Sequence, residues 1–256
     1  MTIAGQMRLN KCTFSLLQLG KSENAFTSPS IHKMYTTMKR IQQVLPIAVL
    51  FLLAACAGPS EKRAEIMEQL EAGEIPEEVD VFTLDLDNSQ VAWEGRRIGG
   101  GHDGTIGISR GEFYVFNGEL LGGEVVMDMH QIVVLDIENP ESNARLQAHL
   151  EHDDFFAVDE YPESRFEITS VEPIEAGETD FTHRVFGNMT IRGITHGIAF
   201  DARINLEENQ MMAYADFDLD RTQWNVRYGS GRFFDDLGDR AINDDFGLEL
   251  NLMAAQ

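Results

Sequence analysis

The sequence predicts an all-β, antiparallel domain with one apolar and one solvated face, and three observations carry that prediction. First, from residue 81 onward apolar and polar residues alternate with a period of two. Phe82, Leu84 and Leu86 alternate with acids and Thr83; Ile198, Phe200, Ala202, Ile204 and Leu206 do the same further on, and Phe246, Leu248, Leu250 and Leu252 repeat the pattern near the end. Such alternation belongs to antiparallel strands with one face in water. Second, glycine-rich steps at Gly99-Gly100-Gly101, Gly122-Gly123 and Gly229-Ser230-Gly231 read as turns between strands. Third, no helix-period segments separate the strands, which argues against a parallel α/β sheet. A sandwich and a barrel both bury alternate residues, so the period alone leaves the two open.

The chain opens on something else. Met38-Lys39-Arg40 precedes an apolar run over residues 44–55, interrupted only by Pro46 and ending Leu53-Ala54-Ala55-Cys56. A basic region, a short apolar region and small residues before a cleavage point make a secretory signal, and the cysteine at the cleavage point is the pattern of bacterial lipoproteins. The run is shorter than the ~20 residues of a membrane-spanning helix. Residues 38–55 are therefore expected to be removed and Cys56 to carry the lipid. Residues 1–37 read as an upstream extension ahead of a start at Met34 or Met38. Ala57 rather than aspartate follows the cysteine, which favours the outer membrane over the inner.

Removing residues 1–55, with six Lys/Arg and one Glu, from a chain of 20 Lys/Arg and 43 Asp/Glu leaves 14 against 42, a formal net charge of −28. Charge of that sign repels nucleic acid and anionic lipid surfaces. With Cys12 ahead of the signal and Cys56 acylated, the mature chain has no disulfide and relies on its core. Residues 56–79 read as a tether that spaces the domain from the membrane, with docking onto the domain as the alternative: Ala57-Gly58-Pro59-Ser60 is flexible, and residues 61–72 can form a frayed acidic helix, ending at Gly73, with a narrow stripe of Ile66, Met67 and Leu70. The barrel or sandwich then occupies residues 80–256. Between the three clear strands, weaker alternation marks residues 91–95, 105–109, 113–117, 125–130, 166–171, 185–191 and 213–220.

One segment breaks the strand rhythm. Leu146 and Leu150 lie one helical turn apart, an acidic step follows, and then come Phe155 and Phe156. Adjacent aromatics cannot share a face, so the pair should wedge between two layers. Tyr161-Pro162 stops the segment before Phe166 resumes a strand. The predicted element is a short helical lid.

The order His149-Leu150, Phe155-Phe156, Tyr161-Pro162, Phe166 resembles the YceI-like family of bacterial isoprenoid- and lipid-binding proteins. Three more features recur in the family's order: Gly101-His102-Asp103-Gly104, the run from Gly187 through Arg192-Gly193, and Asp220-Arg221-Thr222-Gln223-Trp224. The resemblance covers residues 81–254. It implies a lipocalin-like antiparallel β-barrel with an elongated apolar cavity for a polyprenyl or similar chain, and tips the choice from sandwich to barrel. It also implies a place for His102 near the polar end of the cavity; in such a barrel Trp93, Phe113, Phe155, Phe156, Phe166 and Phe200 can be wall as well as core, and the charged fork of Arg221 suits a phosphate or quinone head group. For each a structural role competes: His102 bonding its own turn, Arg221 pairing with Asp220 or Glu167, the aromatics as plain core.

Catalytic and metal chemistry find little support. His149 and His152 stand three apart beside Asp153 and Asp154, but no third ligand is placed and the spacing is not that of a zinc helix. Asp216, Asp218 and Asp220 open like a calcium loop, yet Arg221 occupies the position where the loop needs glycine, so they read as an acidic stripe on a solvated strand face. No Gly-x-Ser-x-Gly elbow or phosphate loop is present. The expected protein is a non-enzyme without cofactor or metal, lipid-anchored on the periplasmic side, with an isoprenoid or fatty-acyl chain as partner and a homodimer as a candidate assembly. Two alternatives stay open: an envelope interaction protein with a filled barrel, and a metal-assisted hydrolase.

Overall fold

A computed structural model describes residues 62–175 and 179–256. The signal segment, residues 1–37 and Cys56 lie outside the described residues. No described helix is long and apolar enough to cross a membrane.

The alternating segments form strands. Among the described residues these are β1 (Glu65–Met67), β2 (Asp80–Leu84), β3 (Gln90–Arg97), β4 (Gly100–Phe116), β5 (Glu119–Val134), β6 (Glu163–Pro173), β7 (His183–Ile191), β8 (Ile194–Leu206), β9 (Gln210–Asp220) and β10 (Ile242–Ala255), with one α-helix, α1 (Pro140–Glu151), between β5 and β6. Strands β4 to β10 pair in chain order, each antiparallel to the next. β2 and β3 then share one position: both pair with β4 on one side and β10 on the other, which closes the ring at eight staves. Closure leaves the sheet without long free edges. The inward residues of all staves make one core, with Phe82, Phe113, Val125, Ile198, Met211, Phe217 and Leu219 nearly inaccessible.

Several boundaries differ from the sequence reading. Residues 105–109 and 113–117 belong to one 17-residue strand, bent by register shifts at Ile106/Gly107 and Ile108/Arg110. A bulge interrupts the alternation without ending the strand. Gly122-Gly123 is not a turn but lies inside β5; the turn is Asn117-Gly118, both at positive φ (51° and 80°), as a two-residue hairpin of the mirror-image type requires. Gly123 sits where a Cβ would stand 2.6 Å from the Glu112 carbonyl, so these glycines serve close packing instead.

The largest correction concerns the tether. No helix forms over its described part. Residues 62–67 run as an extended strand wedged into the barrel wall: β1 is antiparallel to β8 (Glu65↔Ala199, Ile66↔Ile198, Met67↔Gly197), and Arg63 bridges Asp218 of β9 in parallel. The Ala64 amide donates to the Asp218 carbonyl (3.0 Å), and the Asp218 amide donates to that of Lys62 (2.9 Å). The chain then crosses the outside of the barrel. Asn188 brackets Leu70 with two hydrogen bonds (2.8 and 2.9 Å), and the Gly73 amide reaches the Thr169 carbonyl (3.3 Å). Gly197 makes room for this arm, because a Cβ there would lie 2.4 Å from the Glu68 carbonyl.

The arm also overturns the solvated acidic stripe. Asp216, Asp218 and Asp220 do share one face of β9, but Asp218 and Asp220 are each only 3% exposed. Arg96 grips Asp218 through both oxygens (2.6 and 3.0 Å), Lys62 pairs with Asp216, and Arg63 and Arg232 each reach Asp220 at 3.1 Å. Buried carboxylates require such partners. The calcium-like spacing is thus a row of ion-paired anchors for the arm and its surroundings.

Candidate functional site

The barrel encloses a central cavity of about 90 Å³ whose lining is apolar apart from Ser164 and Tyr214. Phe113, Phe166 and Phe200, expected as wall residues, all line it, together with Phe217, Met127, Met189 and Met211, which the sequence reading did not single out. Phe200 and Phe217 stack face to face across β8 and β9 with centroids 4.1 Å apart. The signal for Phe217 was available: it alternates with the three aspartates, and once those face outward it must face inward.

A second chamber of about 380 Å³ lies at the end covered by α1. Trp93, His102, Phe155 and Arg221 line it, as do His149, Tyr228, Arg96, Arg97 and Arg240. Ile106, Phe156 and Phe246 touch both spaces and so form the partition between them. The elongated cavity implied by the resemblance is therefore two spaces in line, divided chiefly by ring side chains. Every site residue named from sequence except Cys56 borders one or the other.

α1 begins six residues before Leu146. Asn139 caps it, its side chain accepting from the Ser142 amide (2.9 Å), and Pro140 fills the first turn where its missing N–H costs nothing. The two phenylalanines wedge as expected. Phe155, 9% exposed, packs with Leu150, Val158, Met129, Ile132 and Val226 in a satellite core under the helix, while Phe156 is half-buried between that core and the main one. His149 packs edge-on against Tyr228 (4.4 Å) and Phe155 (5.4 Å), a lid contact rather than a ligating one. No group of three or more metal-ligating side chains occurs among the described residues.

Arg221 is not placed for a head group. Its guanidinium donates to the carbonyls of Asn243, Val226, Tyr228 and Ile242 at 2.9–3.2 Å, with Asp244 at 3.8 Å and the Phe155 ring at 5.9 Å. Neither Asp220 nor Glu167 is its ion-pair partner. Burial pushes its pKa down, against the pull of Asp244 and Asp220, but an arginine at 4% exposure with its donors in use is a structural clasp. Trp224 plays a similar part, fully buried with its indole N–H on the Met189 carbonyl (3.0 Å), and Arg192 holds the carbonyls of Phe155 and Asn225. The motifs that carry the family resemblance are largely the fastenings of this end of the barrel.

His102 sits on the chamber wall with Nδ1 2.8 Å from Asp136 Oδ2. Burial would raise the Asp136 carboxyl, but the His102 contact and the Asp103 amide outweigh it and hold the carboxyl below its usual range. Trp93 lies flat on β4 at Gly104, where a Cβ would stand 2.8 Å from the indole nitrogen. That nitrogen is buried and finds no acceptor among the described residues. Arg97 and Arg240 differ from the other chamber arginines: neither makes a side-chain hydrogen bond or ion pair with a described residue.

Comparison with known proteins agrees with this architecture. The model of the YceI-like domain matches residues 82–254. Among solved structures, BcnA of Burkholderia cenocepacia superposes with a TM-score of 0.54 at 16% identity, covering 67% of this chain and 99% of its own. A polyisoprenoid binding domain from Saccharophagus degradans, implicated in plant cell wall breakdown, gives 0.49 at 10% identity over 68% and 97%. The YCEI protein of Campylobacter jejuni gives 0.42 at 15% identity over 79% and 94%. No curated protein matches the chain. With a closed antiparallel barrel, its helical lid and a family match across more than half of its length, the chain belongs to the YceI-like domain family.

Proposed function

We propose that this protein binds a long apolar chain, prenyl or acyl, non-covalently along the barrel axis, with the polar end of the ligand in the chamber under α1. The observation that carries the reading is the lining of the central cavity, almost pure hydrocarbon and aromatic surface in the middle of an otherwise acidic protein. Removing apolar surface from water is worth about 25 cal/mol per Å², so each buried methylene adds affinity without any polar contact. The central space is smaller than the roughly 300–1,000 Å³ of ordinary ligand pockets. Seating a chain therefore requires its methionines and stacked rings to move, and Met127, Met189 and Met211 are the adaptable side chains for that. At the polar end, Arg97 and Arg240 are the cations available to a ligand, with His102 beside them.

In this reading the protein is a carrier or store, not an enzyme, held to the periplasmic side of the envelope through an acylated Cys56. The anchor rests on the basic–apolar–Leu-Ala-Ala-Cys order alone. Native mass spectrometry of gently purified protein tests the ligand: a mass increment from a co-purified lipid is expected. Bare protein would favour the filled-barrel reading, which draws on the small central volume. Metabolic labelling with an alkyne fatty acid tests the anchor, and equal labelling of Cys56→Ser would exclude it.

A further inference from the structure

The apolar interior is closed in different ways at the α1 end and along one side. Under α1, the Arg221 clasp, Arg192, Trp224 and the satellite core around Phe155 hold the end. On the side, β8 and β9 pair directly only where residues 202–206 face residues 211–215. Beyond that the two strands part, and residues 62–67 fill the gap with three partner pairs on β8 and two backbone hydrogen bonds to Asp218 of β9. Ala64, a residue with only a methyl group, sits in this gap at 5% exposure and belongs to the main core. Behind it, Phe200 from β8 and Phe217 from β9 stack across the seam and face the central cavity.

We infer that this seam is a lateral portal: residues 62–67 are a removable stave, and a lipid chain enters and leaves through the barrel wall when they peel away. The inference rests on the lipid-binding reading above. A three-pair strand is the weakest stave in the wall, and nothing else in the ladder depends on it, since β8 keeps β7 and β9 keeps β10. Two of the outer fastenings are ion pairs that water reaches, Lys62 to Asp216 and Arg63 to Asp245 (2.8 Å), and such pairs are weak and screened by salt. The third, Arg63 to the buried Asp220 (3.1 Å), leaves that carboxylate still paired with Arg232 when the stave departs. Once the stave has left, the stacked rings of Phe200 and Phe217 are the remaining barrier, and rings turn without breaking a backbone hydrogen bond.

A reversible lock tests this. Glu65 and Ala199 are directly opposed, and since Phe200 faces the cavity, both point outward. Opposed residues of an antiparallel pair have Cα atoms roughly 4.5–5.5 Å apart, within disulfide range. In the full chain carrying Cys12→Ser and Cys56→Ser, the pair Glu65→Cys/Ala199→Cys is loaded with cis-parinaric acid, an 18-carbon fluorescent fatty acid. Release into excess phosphatidylcholine vesicles is then timed. The oxidised lock is expected to slow release about tenfold or more, with reductant restoring it, and Lys62→Glu/Arg63→Glu to speed it by a similar factor, each a barrier change of ~1.4 kcal/mol. Amide exchange of the ligand-free protein adds an independent reading: Ala64 and Asp218 should exchange before Val226, whose amide bonds the Arg221 carbonyl at the α1 end. Release from the oxidised lock at the parental rate, or Val226 opening first, overturns the portal while leaving lipid binding intact. A parent that takes up no parinaric acid overturns the lipid-binding reading and the portal with it.

Discussion

Arg221 illustrates how a charged side chain beside a ligand chamber can belong to the fold. Four backbone carbonyls that would otherwise be buried without a donor converge on its guanidinium. Leaving such groups unsatisfied costs about 1–3 kcal/mol each, so Arg221→Met should lose more than ~3 kcal/mol. In a domain of this size that is a fall of roughly 6–12 °C in melting temperature. A variant that melts like the parent yet loses ligand would restore the head-group role. Asp220 gives a pH signature. Burial pushes its carboxyl up, but the Thr222 hydroxyl and amide with Arg232 outweigh this and hold its pKa below the usual carboxylate range. A lowered folded-state pKa contributes stability present above the unfolded value of about 3.9 and lost as pH falls through the folded one. Asp220→Asn should therefore be less stable at pH 7 and show a flatter decline below about pH 4, read from melts across pH 3–7. Asp245 has the opposite sign, raised chiefly by burial, so its cost is relieved rather than incurred on acidification. At this scale the sequence identified residue types and neighbourhoods well. It could not assign partners, because Asn243 and Ile242 are about twenty residues from Arg221 and the strands alone bring them together.

At the scale of elements, what was legible depended on unbroken alternation. β7 to β10 lie close to where the alternation places them, whereas the bulged β4 reads as two segments. β1 is three residues long and pairs with a strand 130 to 134 positions away, so no local pattern could reveal it; Ile66, Met67 and Leu70 were read with a helical period because nothing in sequence says what covers them. The start of α1 was a different kind of miss. Asn139-Pro140 is a readable start signal, an Asn cap before a first-turn proline, and it lies upstream of the Leu146/Leu150 pair from which the helix was inferred. Asn139→Ala should cost about 0.5–2 kcal/mol. Because α1 packs against β5 and the satellite core rather than forming a stave, the loss should show first as faster amide exchange at Asn143, whose N–H bonds the Asn139 carbonyl (2.9 Å). Uniform acceleration through the barrel ladder would mean that the helix is part of the cooperative core.

At the scale of the molecule, the closed eight-stave ring and the family were within reach of the sequence, whereas the division of the interior into two spaces was not. That division depends on the rotamers of Phe156 and Phe246 and the bend of β4 at Ile106, which no period encodes. The wall position of β1 also moves the border of the folding unit. The family match starts at residue 82, but a stave of the barrel lies twenty residues earlier. A shortened protein beginning at residue 80 would keep β2 to β10 and still lack part of its wall, with bare backbone on β8 at residues 197–199 and on β9 at Asp218. Unpaired strand edges are templates for strands from other molecules. The shortened form is expected to elute as dimers and larger species in size-exclusion chromatography, while a form beginning at residue 57 stays monodisperse. A synthetic peptide of residues 57–70 added in trans should dissolve those species by refilling the slot, so that what reads in sequence as a leash acts as a guard against self-association.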